Sequence, residues 1–340
     1  NRGHLAQSSS RGIVVNAGIA NACVGEQGNK DAREMANLAA QKISARPDEI
    51  LVCSTGVIGV ELPMSLIRDG LTKIELTSNG GHEVARAMMT TDTRTKEAAV
   101  SFEIDGRAVH LGGVAKGSGM IHPNMATMLS FIATDAAVEK TFLEITLKEV
   151  ADMSYNMLTV DGDSSTNDTV LVLANGMAGN TPISIGSPDA ETFKAALMEV
   201  AVYLTRELAR DGEGASHLIT VEVAGAQDTN EARQAARTIA SSSLVKSAVY
   251  GADPNWGRVL AALGRSGTVV DESKIDLFVN GVCIMEGGSP VPFHRDAVMA
   301  LMRQPEVSFR LQLNLGNGQA TAWGCDLTQE YVIINSAYTT

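Results

Sequence analysis

Positive charge is in short supply in this chain. Its 27 lysines and arginines face 39 aspartates and glutamates, for a formal net charge of −12 at pH 7, and no long basic run interrupts that balance. The electrostatic footprint of a nucleic-acid binder is missing, so small-molecule chemistry is expected and no nucleic-acid partner is. Long apolar runs are missing too. No stretch reaches the ~18 uncharged residues that span a bilayer, and Asn1-Arg2-Gly3-His4-Leu5 lacks the apolar core of a secretory signal. We expect a soluble, cytoplasmic protein that engages no membrane.

Cysteine is sparse and scattered. Cys23, Cys53, Cys283 and Cys325 form no CxxC pair and have no histidine at ligand spacing, which argues against a disulfide framework and a metal site. Buried thiols in a reducing compartment are expected. Asn21-Ala22-Cys23 invites a nucleophile reading, but a small buried residue is the better account of a lone cysteine. The glycine-rich stretches at 112–119 and 286–288 lack both the GxxxxGK[ST] and the GxGxxG spacing, so nucleotide binding by those routes has no support. Internal repeats and flexible linkers are absent as well.

What is present is enough apolar material for a large core. A chain of 340 residues at 44% hydrophobic suits one complex domain or two interlocked ones. The pattern predicts strands at 11–18 and 49–53, with a helix between them that Asp31 caps and Pro47 ends. Ser54-Thr55-Gly56-Val57-Ile58-Gly59 reads as a strand-to-turn junction. Val100, Phe102 and Ile104 alternate with polar residues up to Asp105-Gly106, and Val109 and Leu111 alternate after it, a hairpin that delivers the chain to Lys116. A strand after Thr127 leads to a helix over 139–157 with Phe142, Ile145, Val150 and Met153 toward the core. The polar loop at 161–168 suits an Asx-rich turn better than a calcium loop, whose last ligand is a glutamate. Strands at 170–173, 219–223, 307–315 and 319–325, helices at 190–209 and 231–241, and a hairpin at Asn280-Gly281 complete a mixed α/β chain. Mixed sheets covered by helices are its natural packing.

The most telling run is Lys116 to Leu129. There Thr127 follows the small Ala126, after a glycine-rich loop containing Pro123 and before a strand-like stretch, a layout suited to backbone self-cleavage between Ala126 and Thr127. A threonine hydroxyl inside a chain is a poor nucleophile. An N-terminal threonine carries a free α-amine, with a pKa of roughly 7.7–8.0, beside its own hydroxyl. The same residues are also accounted for by a turn at Gly117 and Gly119, ended by Pro123, with an ordinary strand starting at Thr127. His122 titrates near neutrality and invites a general-base reading, although shaping the loop is its simpler role.

Six further segments share a pattern with that run: Val15–Cys23, Ser54–Gly59, Thr90–Thr93, Asp211–Ala215, Asp253–Arg258 and Asn335–Thr340. Through them, over essentially its whole length, the chain resembles the ornithine acetyltransferase family, the glutamate N-acetyltransferases of the cyclic arginine pathway. The resemblance implies an N-terminal-nucleophile enzyme with an α-β-β-α sandwich. It implies a precursor cut before the threonine into an α chain, residues 1–126, and a β chain, residues 127–340. It implies that Thr127 takes the acetyl group of N-acetylornithine, with its own α-amine as base, releases ornithine, and passes the acetyl group to glutamate to give N-acetylglutamate. The oxyanion hole then falls on Thr55 and Gly56, where one donor is worth about 2.7–4 kcal/mol. Substrate contacts fall on Thr90 or a neighbouring threonine of 90–93, Lys116, Thr127, Glu213, Asn335 and Thr340, with Lys116 facing a carboxylate and Glu213 a cationic amine. Trp256 and Arg258 become packing and subunit contacts. The resemblance also implies an α2β2 heterotetramer without resident cofactor or metal, open to acetyl-CoA as a second acetyl donor. Members usually carry an additional N-terminal segment, so this chain enters the pattern late.

Two other readings stay open. An aminopeptidase or amidohydrolase of the same nucleophile class would hand the acyl group to water. A catalytically silent binding protein for the same metabolites would keep the pocket without the chemistry.

Overall fold

The computed structural model describes residues 1–7, 9–122 and 128–337. Helix α1 (Arg2–Gln7) leads into strand β1 (Gly12–Ile19), helix α2 (Gly25–Lys42) and strand β2 (Ile50–Val57), and β1 pairs with β2 in parallel from Gly12↔Ile50 to Ile19↔Val57. Helices α3 (Met64–Lys73) and α4 (Gly81–Ala87) precede the hairpin of β3 (Lys96–Ile104) and β4 (Arg107–Lys116). Its turn residues Asp105 and Gly106 have φ of +51° and +70°, which is why Asp-Gly stands there. Next come β5 (Leu129–Thr134), α5 (Lys140–Met153), β6 (Leu158–Thr159), β7 (Thr169–Ala174) and the long helix α6 (Ala190–Arg210). They are followed by β8 (Leu218–Ala226), α7 (Thr229–Ala240), α8 (Ser243–Tyr250), α9 (Trp256–Gly264), β9 (Asp276–Val279) and β10 (Val282–Glu286). The chain finishes with β11 (Ser289–Pro290), α10 (Arg295–Met302), β12 (Glu306–Gln312), β13 (Gly318–Cys325) and α11 (Gln329–Ala337).

The layers follow from the alternation of side chains along the strands. Ile13 and Val15 of β1 and Leu51 and Cys53 of β2 pack on Leu129, Phe131 and Leu171, so this pair lies on the four-stranded sheet β3-β4-β5-β7. Val14 and Ile50 point the other way, into Met35, Ala36 and Ala40 of α2. On the far side of the four-stranded sheet, a Cβ at Gly113 would meet Ile132, Leu204 and Val200 at 3.0 to 3.1 Å, which places α6 close against β4 and β5. Helix, sheet, sheet and helix thus stack as the α-β-β-α sandwich expected from the sequence. A mixed seven-stranded sheet, in the order β11-β10-β9-β12-β8-β13-β6, packs against α6 and α7 and carries much of the main core.

Several local expectations change. Helix α2 begins at Gly25; Asp31 sits buried inside it, accepting from Gln27 Nε2 at 2.7 Å instead of capping. Strand β2 runs on through Thr55 and Gly56 instead of turning, because the pairing with β1 continues as Ala17↔Thr55 and Gly18↔Gly56. Helix α5 ends at Met153. Ile145 and Met153 face solvent, while Phe142, Thr146 and Val150 face the core, a narrower stripe than the apolar spacing implied. Cys53 and Cys325 are buried and Cys283 half-buried, but Cys23 is exposed, at φ +59° in the loop that leaves β1. Among the described residues, no helix is long and apolar enough to cross a membrane.

Candidate active site

The site starts where β1 and β2 come closest. Gly56 has φ +127°, and a Cβ there would lie 2.2 Å from the Gly18 carbonyl carbon, so only glycine lets the two strands approach this tightly. Beside it, Ser54 Oγ accepts from the Asn21 N–H at 2.8 Å and from Asn167 Nδ2 at 3.1 Å, tying β2 to the loop before β7.

Lys116 ends β4 and is only 4% exposed. Its Nζ donates to Thr90 Oγ1 at 2.8 Å and Thr55 Oγ1 at 3.2 Å, and lies 3.6 Å from Asp92 Oδ2. A hydroxyl oxygen that accepts from an ammonium keeps its own O–H to give, so both threonines are left as donors to whatever enters the pocket. Burial pulls the Lys116 pKa below its ordinary value; Asp92 opposes that pull and Lys96 adds to it.

Behind Lys116 lies a buried charge network. Lys96 Nζ reaches Asp92 Oδ1 at 2.7 Å and Asp211 Oδ2 at 2.6 Å. Asp92 Oδ1 also accepts from the Gly117 N–H at 2.6 Å, Ser118 Oγ donates to the Asp211 carbonyl at 2.6 Å, and the Thr93 N–H donates to Asp211 Oδ2 at 3.1 Å. Burial pushes the Asp92 carboxyl up, yet Lys116, Lys96 and the Gly117 amide together outweigh it and hold the pKa below the usual aspartate value. The network fixes the start of β3, the end of β4 and the end of α6 relative to one another.

Glu213 follows α6, 8% exposed, with its N–H donating to the Ser118 carbonyl at 2.9 Å. A Cβ on Gly119 would lie 2.4 Å from the Glu213 carboxylate, so Gly119 is the room that Glu213 occupies. Asn335, on α11, donates from Nδ2 to Glu213 Oε2 at 2.8 Å.

Thr55, Gly56, Thr90, Lys116, Glu213 and Asn335 thus line a single pocket of about 80 Å³. Thr90 is the threonine of 90–93 that Lys116 holds; Thr91 also lines the pocket, and Thr93 is turned to Asp211. Ala126, Thr127 and Thr340 lie outside the described residues. Leu129, at the start of β5, pairs with Lys116, so the chain that follows residue 127 departs from the edge of this pocket. His122 lines a different cavity. Arg237 donates to its Nε2 at 3.2 Å and its Nδ1 meets Thr159 Oγ1 at 2.9 Å, while burial and Arg237 lower its pKa. A neutral ring satisfies both contacts, which suits the loop-shaping role. Trp256 packs against the main core and Arg258 donates to the Leu244 carbonyl at 3.1 Å.

Sequence reasoning missed the Asp92–Lys96–Asp211 network, although charges four apart at the start of an otherwise half-apolar strand were a signal. It also missed Asp168, whose carboxyl burial pushes up to about 8, with the Met128 amide and Lys116 too weak to offset it. No group of three or more His, Cys, Asp and Glu among the described residues is placed to hold a metal ion.

With this geometry established, the chain matches the ArgJ family over residues 1–340. A relative from Symbiobacterium thermophilum, the arginine biosynthesis bifunctional protein ArgJ, is 52% identical over 341 residues, covering 100% of this chain and 85% of its own. The protein of the same name from Staphylococcus epidermidis is 46% identical over 328 residues, covering 96% of this chain and 82% of its own. A crystal structure of arginine biosynthesis bifunctional protein argJ from Bacillus halodurans aligns with a TM-score of 0.61 at 42% identity, covering 62% of this chain and 100% of that one.

Proposed function

This chain belongs to the ArgJ family, an acetyl-transferring family of arginine biosynthesis, and from that premise we propose that it moves the acetyl group of N2-acetylornithine to glutamate through an acetyl ester on Thr127. The observation that carries the proposal is the convergence of Thr55, Gly56, Thr90, Lys116, Glu213 and Asn335, distant in sequence, on one pocket beside the start of β5.

Cleavage between Ala126 and Thr127 frees the α-amine that acts as base. Thr127 Oγ attacks the acetyl carbonyl, the amine takes the hydroxyl proton and returns it to the departing ornithine nitrogen, and the acetyl group stays as an ester. The glutamate amine then attacks that ester and restores the threonine. Each step passes through an oxyanion, for which the Thr55 hydroxyl, polarised by Lys116, and the backbone at Gly56 are the donors. Glu213, held by Asn335, takes the side-chain ammonium of ornithine, and the Thr90 hydroxyl with the charge of Lys116 behind it takes an α-carboxylate. Two cleaved precursors assemble as an α2β2 heterotetramer in the cytoplasm.

The test is the intact mass under denaturing conditions before and after incubation with N-acetylornithine. Fragments 1–126 and 127–340 are expected, the second alone gaining one acetyl group, and Thr127→Ala should stay uncut and unacetylated. A single unmodified wild-type chain of 35.8 kDa would rule the mechanism out.

A further inference from the structure

One carboxylate beside the pocket lacks a partner among the described residues. Asp168 precedes β7, whose first residue, Thr169, pairs with Leu129 of β5 and donates from its N–H to the Met128 carbonyl at 2.9 Å. Continued by one residue, that parallel register sets Asp168 opposite Met128, directly after the pocket-lining Asn167. Both carboxylate oxygens of Asp168 are buried, and neither has a hydrogen-bond partner among the described residues. The Met128 amide and the charge of Lys116 reach the group too weakly to offset its burial. Buried acids are held by hydrogen bonds or ion pairs, and one with neither calls for a partner.

The groups around it do not supply that partner. Lys116, at the end of β4, is the one charged side chain among the described residues that acts on Asp168, and its ammonium is committed to Thr90, Thr55 and Asp92. Glu213 is held by Asn335. Asp161, on the loop before Asp168, accepts from the Met120 and Ile121 N–H groups at 2.6 and 2.9 Å, and Asp163 acts on His122. Cys53 of β2, packed on Leu129 and Leu171, stays a neutral thiol, its pKa pushed up to about 11 by burial. What stands opposite Asp168 is the amide of Met128. The nitrogen of residue 127 is separated from that amide only by its own Cα and carbonyl carbon. In an uncut chain that nitrogen is a neutral amide, and burial keeps the Asp168 carboxyl protonated, its pKa pushed up to about 8. Cleavage before Thr127 turns the nitrogen into an amine, and so makes a cation where Asp168 lacks one.

We propose that Asp168 is a positioning residue for the acetyl transfer: its carboxylate holds the α-amine that cleavage frees on Thr127 and stabilises the ammonium which that amine becomes. This rests on the reading of Thr127 as the nucleophile. As Thr127 Oγ bonds to the acetyl carbon, its hydroxyl proton passes to the amine and forms an ammonium beside the carboxylate. When the acetyl C–N bond breaks, the ammonium returns that proton to the ornithine nitrogen. The carboxylate takes no proton in either step and acts through the base, as the aspartate of a Ser-His-Asp triad does.

Two measurements on the full chain test this. The first reads the rate constant for acetylation of Thr127 at saturating N-acetylornithine, by intact mass across pH, for wild type and for Asp168→Asn, which keeps the size and loses the charge. An anion beside an amine raises its pKa, so the acid limb of the wild-type profile should lie about one pH unit above that of the variant. The variant's plateau should be roughly tenfold or more lower, with half-saturation within about threefold of wild type. A merely structural role would lower the plateau without moving the limb. Infrared difference spectra read the carboxyl itself. At a pH between the ordinary aspartate value and about 8, uncut Thr127→Ala should show a carboxylic-acid C=O stretch that Asp168→Asn removes in the same background and that cut wild type lacks. If Asp168→Asn alone stays uncut, the infrared comparison of wild type with Thr127→Ala decides. Wild type cut and acetylated with the variant's limb unmoved overturns the proposal alone, as does a band present in both cut and uncut protein or in neither. A wild type that stays uncut overturns the Thr127 reading and this proposal with it.

Discussion

Two glycines in the site are there for different reasons, and the difference decides what each substitution does. At Gly56 an added Cβ runs into the backbone of Gly18 at 2.2 Å, which cannot yield without separating β1 from β2. At Gly119 it runs into the far end of the Glu213 side chain at 2.4 Å, which can swing away. Gly119→Ala is therefore expected to leave the melting temperature within a few degrees of wild type while displacing the Glu213 carboxylate, which is proposed to face the substrate cation. The KM for N-acetylornithine should rise roughly tenfold or more, the scale of one lost charge-assisted hydrogen bond. An unchanged KM would remove Glu213 from the binding site. Lys116 shows the same economy of contacts: its ammonium is occupied by Thr55, Thr90 and Asp92, so in the proposed mechanism it would act through the two threonine hydroxyls and through its charge.

At the scale of elements, the junction of β3, β4 and the end of α6 is held by charges rather than by apolar packing. Asp92 and Lys96 have side chains fully out of solvent. Asp92→Asn leaves Lys96 and Lys116 buried with one counter-charge fewer, which is expected to cost about 3–5 kcal/mol in urea unfolding at pH 7. The acid response carries a further signature. Because the folded pKa of Asp92 is depressed, its contribution is fully present above the ordinary aspartate range and is lost as pH falls through the lower folded value. The variant should lack that part of the acid loss. A difference below about 1 kcal/mol at pH 7, or parallel acid curves for the two proteins, would mean the network is not what fixes Lys116.

For the whole molecule, the proposed cleavage point falls inside one sheet. β3 and β4 precede residue 126 and β5 and β7 follow residue 127, yet all four are hydrogen-bonded side by side, with Lys116↔Leu129 pairing across the junction. The β1–β2 pair also packs on Leu129 and Leu171 from beyond it. The two pieces are therefore interlocked parts of one folded body, and neither is a separate domain. Cleaved protein should elute as one species in size-exclusion chromatography under native conditions and separate only on denaturation. Fragments that part without denaturant would contradict this arrangement.

The sequence by itself determined the elements whose signal is local: the Asp105-Gly106 and Asn280-Gly281 hairpins, the apolar stripe of α6 and the alternation of β3 and β4 are readable because a turn or a period involves neighbours only. The family resemblance that its motifs carry also pointed to Thr55, Gly56, Thr90 or a neighbouring threonine, Lys116, Glu213 and Asn335. Only the tertiary structure decided that these six share a pocket, that Thr55-Gly56 continues a strand because β1 lies alongside, and that Ile145 and Met153 face solvent. It alone revealed that Lys96 is buried between Asp92 and Asp211. A charge reads as a surface residue until its partners are known, and one of the two here, Asp211, is more than a hundred residues away along the chain. Such long-range pairing leaves no period in the sequence.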